Sequence, residues 1–201
     1  ELGVPISLAN LSVDDRFGVF EVGMSRAGEI KNLTKLIKPH IGVITNIGEA
    51  HLENFKNVNG IASAKSEIIE QIKKGGTIML NRDDKFFNYL FRKAKKFNLN
   101  ISTFGFHKKS DIRAVKIVKK RNLSIIYVRI NNQIIDLKIR DLNVHNVLCS
   151  LAVLKQLNVN ISKIKAKFKD IESPEGRGKK YSINRYKKNF KLIDESYNAN
   201  P

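Results

Sequence analysis

Along the first half of the chain, short apolar runs alternate with stretches in which apolar residues recur every three or four positions. Phe17–Val22 (F-G-V-F-E-V) is expected to form a strand, and Gly28–Lys38 carries Ile30, Leu33, Leu36 and Ile37 at helical spacing until Pro39 stops it. Ile41–Ile44 is short, rich in β-branched residues and bounded by Pro39 and Gly48, which predicts a buried strand. Helical spacing returns in a stripe of Ile61, Ile68, Ile69 and Ile72. Gly75 and Gly76 turn the chain into a second buried strand, T-I-M-L-N. Its end carries Asn81, Asp83 and Asp84, with an aspartate placed to cap a helix over Phe86–Lys96. Ile101–Phe104 is expected to be a further parallel strand.

From there the period becomes two. Ile112–Val118, Leu123–Ile130 and Ile134–Ile139 alternate apolar with polar residues, and Asn131-Asn132 has hairpin-turn chemistry. Val144–Leu157 returns to helical spacing behind Asn143 as a cap, and Ile161–Ile171 reads as a second, more basic helix. Ser173–Gly178 (S-P-E-G-R-G) is expected to be an ordered loop, followed by a hairpin of Tyr181–Tyr186 and Phe190–Ile193. The pattern predicts an α/β fold: a mostly parallel sheet with helices on both faces, plus a small antiparallel extension.

That topology brings chemistry together. In a right-handed strand–helix–strand unit the two strands run parallel, so Glu21 and the Asn46–His51 loop are expected at the same sheet edge. Ligands bind at the carboxyl ends of such strands. Asn46, Glu49, His51 and Glu53 crowd into that loop, and Lys65 falls inside the isoleucine stripe one turn after Ile61. Burial disfavours an ammonium and lowers its pKa. Taken singly, Glu21 is an ordinary edge carboxylate, His51 a hydrogen-bonded loop histidine and Lys65 a lysine whose head snorkels to water. Together, a carboxylate and an imidazole suit a divalent cation, and Mg²⁺ takes a few protein ligands plus phosphate oxygens. A lysine cation beside such a metal repels it unless it contacts phosphate or is modified. Neither G-x-x-x-x-G-K-[ST], a dinucleotide-binding glycine motif nor a zinc signature accompanies these residues. The residues point to a Mg²⁺–phosphate site without its phosphate loop.

Composition narrows the classes. At 42% apolar the 201 residues can bury a full core, and no apolar run reaches membrane-spanning length. Glu1–Asn10 lacks a signal-peptide pattern. A single cysteine forms no internal disulfide, so a reducing cytoplasm is expected. The formal charge of +18 attracts anions. The basic residues are spread without a block or interleaved aromatics, however, so nucleic-acid binding is not expected. Glu1 opens without methionine and Pro201 closes inside a polar motif, so a piece of a longer protein is expected.

The ordered segments E-V-G-M, T-N-I-G-E-A-H-L-E, A-K-S-E-I, L-N-R-D-D, G-R and D-E-S-Y-N-A-N-P resemble the central, P-loop-type ATPase domain of the Mur ligases. The resemblance spans essentially the whole chain, and the start, E-L-G-V-P-I-S-L, is similar to the segment that follows the family's phosphate loop, which is expected upstream of Glu1. It implies residues 1–195 as the ATP-binding domain and 196–201 as the start of a hinge. It also implies a cytoplasmic, monomeric, ATP- and Mg²⁺-dependent carboxylate–amine ligase of peptidoglycan synthesis that works through an acyl phosphate, with no nucleic-acid partner. The partners would be a UDP-N-acetylmuramoyl-tripeptide and D-alanyl-D-alanine; sister amide ligases, polyglutamate-type ligases and a non-catalytic basic anion-binding module are the alternatives. By motif match Glu21, His51 and a carbamylated Lys65 would hold the metal, with Asn46 and His51 at the reacting centre. Asn146, Arg177 and Asp194 or Glu195 would serve the nucleotide, and Asn198 and Asn200 would shape the hinge. The adenine-side helix reads H-N-V-L-C-S-L-A-V, so Cys149 stands where the family has a second asparagine. The domain alone is expected to be inactive.

Overall fold

Helix α2 (Glu29–Ile37) ends where Lys38 turns left-handed, φ 49°, ahead of Pro39, because the residue before a proline is kept out of the helical region. The structure is a computed structural model that describes residues 2–49, 52–120, 123–140 and 142–197. The chain divides into two units, Glu1–Thr103 and Phe104–Pro201.

In the first unit, α1 (Gly3–Ala9) precedes α2 and buries only Val4. The start of α2 is capped from afar: the Glu67 carboxylate accepts the Gly28 N–H at 2.7 Å and the Lys31 N–H at 3.0 Å. Strand β1 (Ile41–Ile44) runs parallel to β2 (Thr77–Asn81), with Ile41 opposite Thr77 and Ile44 opposite Leu80. Every residue of β2 is buried, as expected for a parallel strand covered on both faces. β3 (Asn100–Gly105) starts beside it, where the Asn100 N–H donates to the Gly76 carbonyl. Between the strands lie α3 (Val58–Lys65), capped by the Asn57 side chain, and α4 (Phe87–Lys96). The core joins Ile44, Ile61, Ile69, Ile78, Leu80 and Leu90. Gly42 permits the close packing of β1, since a Cβ there would meet Ile72 Cδ1 at 2.6 Å.

Two expectations are corrected here. Phe17–Val22 is irregular, without strand pairing among the described residues. A strand requires a hydrogen-bonded neighbour, and here Phe17 is 57% and Val19 95% exposed. The isoleucine stripe is helical, but the α-helix stops at Lys65 and tightens to a 3-10 helix over Ser66–Gln71, which short runs of i, i+3 contacts also satisfy.

In the second unit the end of β3 pairs in parallel with the start of β4 (Ile112–Lys120), Phe104 opposite Ile112. β4, β5 (Leu123–Ile130) and β6 (Gln133–Ile139) then form an antiparallel meander, turning at Asn131 with φ 54°. Helix α5 (Val144–Gln156) is capped by Asn143 and buries Val147, Leu148, Leu151 and Ala152. The basic helix is a single α-turn, α6 (Ile161–Ile164), continued as 3-10 over Lys165–Asp170. β7 (Lys179–Arg185) and β8 (Lys188–Asp194) form a separate hairpin, turned by Tyr186 and Lys187 at positive φ. The fold class is therefore as expected: a mostly parallel sheet with helices, and small antiparallel sheets. No helix among the described residues is long and apolar enough to cross a membrane.

Ile69 is fully buried whereas Ile134 is 54% exposed. Ile69→Ala should destabilise the chain by about 2–5 kcal/mol in urea unfolding, and Ile134→Ala should stay within about 0.5 kcal/mol of the parent.

Candidate functional site

The carboxyl ends of β1 and β2 are tied together by side chains that bond to backbone. Asn81 Nδ2 donates to the Thr45 carbonyl at 3.1 Å, and Asn81 Oδ1 accepts the Asp83 N–H. Asp84 spans the same gap: Oδ2 accepts the Ile47 N–H at 2.6 Å and Oδ1 the Phe86 N–H at 2.7 Å. Asp84 is thus the aspartate that organises the entry to α4, although Phe86 is the helix's own N-cap. Its bridge to the β1 loop was not read from the sequence; the D-D pair was its only signal.

Lys65 closes this rim. Its Nζ donates to the Asn46 carbonyl at 3.0 Å. The side chain is half-buried, and burial holds its pKa below the ordinary lysine value, while the Asp84 charge pulls the other way. The structure therefore brings the Lys65 amine onto the Asn46 backbone carbonyl. The next residue, Ser66, is wholly buried; its Oγ donates to the Ser63 carbonyl, lies 3.2 Å from Tyr89 Oη and accepts from Lys93 Nζ at 2.9 Å. Lys93 also pairs with Glu70 at 2.7 Å. This network, which periodicity did not reveal, anchors the backbone just beyond Lys65.

The remaining metal-site expectations do not assemble in the same way. Glu21 is exposed in the irregular segment, and no hydrogen bond or ion pair joins it to another described residue. His51 lies outside the described residues. Among the described residues no three His, Cys, Asp or Glu side chains are grouped to hold a metal.

In the second unit, Asp194, the last residue of β8, holds the loop that carries Arg177. Asp194 Oδ2 accepts the Gly176 N–H, Oδ1 accepts from both Ser196 N–H and Oγ, and the Asp194 carbonyl accepts the Gly178 N–H at 2.7 Å. These bonds, those from Ser196 first, hold the Asp194 carboxyl below the usual aspartate range. The Arg177 guanidinium stacks on the Tyr197 ring at 4.3 Å, and Gly176, at φ 71°, leaves no room for a Cβ against Tyr197. Glu195 is exposed beside Gly178. Asn146 is exposed on the first turn of α5, its backbone N–H donating to Asn143 Oδ1. Cys149 is buried and its thiol is pushed up to about 12 by burial, a small packing residue on this evidence of geometry. Asn198 and Asn200 lie outside the described residues.

Two outcomes follow from these environments. Cys149 should not react with a disulfide reagent at pH 8 in the folded chain, and should titrate as one thiol in denaturant. The Asp194 carboxyl, depressed in the fold, contributes stability above its unfolded value and loses it as pH falls through the folded one. Amide exchange should therefore show Gly176 and Ser196 protected at neutral pH and released in acid, with Asp194→Ala releasing them throughout.

Comparison with known proteins gives a consistent picture. The family description "Mur ligase middle domain" matches residues 1–155. A UDP-N-acetylmuramoyl-tripeptide–D-alanyl-D-alanine ligase from Rickettsia prowazekii is 33% identical over 205 residues, covering 100% of this chain and 44% of that protein. A crystal structure of MurF from Acinetobacter baumannii superposes with a TM-score of 0.87 at 28% identity, covering 99% of this chain and 43% of that one. MurF ligase from Thermotoga maritima in complex with ADP follows at 0.79 and 25% identity, covering 98% of this chain and 44% of that one. The chain thus spans under half the length of these relatives.

Proposed function

The chain belongs to the Mur ligase family, and from that premise we propose that it is the ATP-binding domain, over residues 1–195, of a ligase joining D-alanyl-D-alanine to UDP-N-acetylmuramoyl-tripeptide, with 196–201 opening a hinge. The γ-phosphate of ATP passes to the tripeptide carboxylate and ADP leaves. The dipeptide amine then attacks the acyl phosphate, phosphate departs with the C–O bond, and the amine loses a proton. The enzyme acts in the cytoplasm on peptidoglycan precursors.

The observation that carries this reading is the half-buried Lys65 amine resting on the Asn46 carbonyl at the carboxyl end of β1. CO₂ adds only to a neutral amine, which burial favours. The amine's nitrogen forms the new C–N bond and releases a proton, leaving an anionic carbamate. An ammonium there would repel a hard cation, whereas carbamate oxygens fit one. Glu21, His51 and carbamylated Lys65 are the residues we assign to Mg²⁺, which when bound supplies positive charge against the transferring phosphoryl group. Asn46 orients Lys65 through its carbonyl.

For the nucleotide we assign Asn146 to the base side and Arg177 to phosphate, where a guanidinium fork suits its oxygens. The Thermotoga maritima relative is in complex with ADP, which supports nucleotide use by the full-length ligase. Of the two acids, Asp194 has both oxygens engaged by backbone and Ser196, which favours Glu195 for the ribose hydroxyls and Asp194 as the organiser of the Arg177 loop. Cys149 does not supply the base-reading amide of the family's second asparagine, leaving that role to Asn146 alone.

In the full-length polypeptide, Lys65→Ala should abolish ligation, and bicarbonate or a short carboxylate should restore part of it. Unimpaired turnover by Lys65→Ala without additive would refute the role. An amine-acceptor screen should favour D-alanyl-D-alanine; preference for another amino acid would move the chain to a sister ligase.

A further inference from the structure

The Asn46 carbonyl that accepts Lys65 Nζ and the Ile47 N–H that donates to Asp84 Oδ2 belong to one peptide group. A trans peptide is planar, with its N–H and C=O pointing in opposite directions. Fixing the N–H therefore aims the C=O. We propose that Asp84 is a positioning residue for Lys65: by gripping the 46–47 peptide through its N–H, it turns the carbonyl toward the lysine amine and holds it there.

Three features of the rim support the assignment. Asp84 is itself oriented by the Phe86 N–H on its other oxygen, so the clamp cannot swing freely. The preceding peptide is also fixed, because Asn81 Nδ2 bonds to the Thr45 carbonyl. On the other side, the backbone of Lys65 is anchored by buried Ser66 and by Ile61 and Ile69, both fully buried. The 46–47 peptide thus links these supports to the lysine amine, and Asp84 holds its orientation. A carboxylate on the N–H also polarises the peptide and strengthens the opposite carbonyl as an acceptor.

This inference rests on the reading of Lys65 as the functional amine, but its test does not depend on carbamylation. Asp84→Ala and Asp84→Asn are prepared in the full-length polypeptide. Amide exchange is followed at Ile47 and Phe86, and trace acetylation compares Lys65 with Lys93 in the same sample. Loss of the clamp should speed Ile47 exchange and Lys65 acetylation about tenfold, the scale of one hydrogen bond to a charged group. Lys93, held by Glu70 in the same unit, should keep its parental labelling. Asp84→Asn retains one acceptor oxygen and should fall between, and it decides the question if Asp84→Ala fails to fold. Parental Lys65 labelling in a folded Asp84 variant, whether or not Ile47 exchange quickens, would overturn the proposal. Labelling of the unmodified chain with ¹³C-bicarbonate separates the two ideas: absence of a Lys65 carbamate counts against the functional reading and leaves the Asp84 result standing.

Discussion

The rim of the first unit depends on keeping an amine partly out of water. Lys65 ends an α-helix whose neighbours Ile61 and Ile69 are wholly buried, which fixes where its side chain starts. The head reaches a backbone carbonyl rather than a carboxylate. A carbonyl satisfies one of the three donors of an ammonium without cancelling its charge. Burial therefore lowers the pKa of this amine relative to an exposed lysine, and the Asp84 charge offsets part of that shift.

The same economy governs the loops. The chain has 19 acidic residues against 37 basic ones, and several acids serve backbone N–H groups. Glu67 caps α2, Asp84 joins the ends of β1 and β2, and Asp194 folds the Arg177 loop. Charge-assisted bonds to N–H groups are shorter and stronger than neutral ones. They give loops at strand ends a definite geometry without regular secondary structure, which a site built on loops requires.

Periodicity exposed what depends on burial and missed what depends on partners. The strands β1 to β6 and helices α2 and α5 were legible because apolar spacing follows the face a segment buries. Phe17–Val22 has a similar apolar run, yet a strand is a relation between two segments and its own pattern cannot supply the second. The change from α to 3-10 helix at Ser66 is likewise invisible, because both present apolar side chains at i and i+3. Lys65 was legible as an anomaly in its stripe, and Asn46 as a loop polar residue. Asp83 and Asp84 look equivalent in sequence, as do Asp194 and Glu195. Only the direction of each side chain against neighbouring N–H groups separates them.

Asp84 and the burial of Lys65 act on the same amine in opposite directions, and their balance follows from geometry. A carboxylate near an ammonium raises its pKa, whereas desolvation lowers it. Here burial is the larger effect and Asp84 the smaller. The reason is visible in the bonds: both Asp84 oxygens already accept backbone N–H groups, and a peptide group stands between the carboxylate and the amine. The aspartate thus orients the lysine through that peptide and does not clamp it in an ion pair. Had Asp84 met Lys65 directly, the pair would have kept the lysine charged; routed through the 46–47 peptide, its hold on position is firm and its hold on charge is weak.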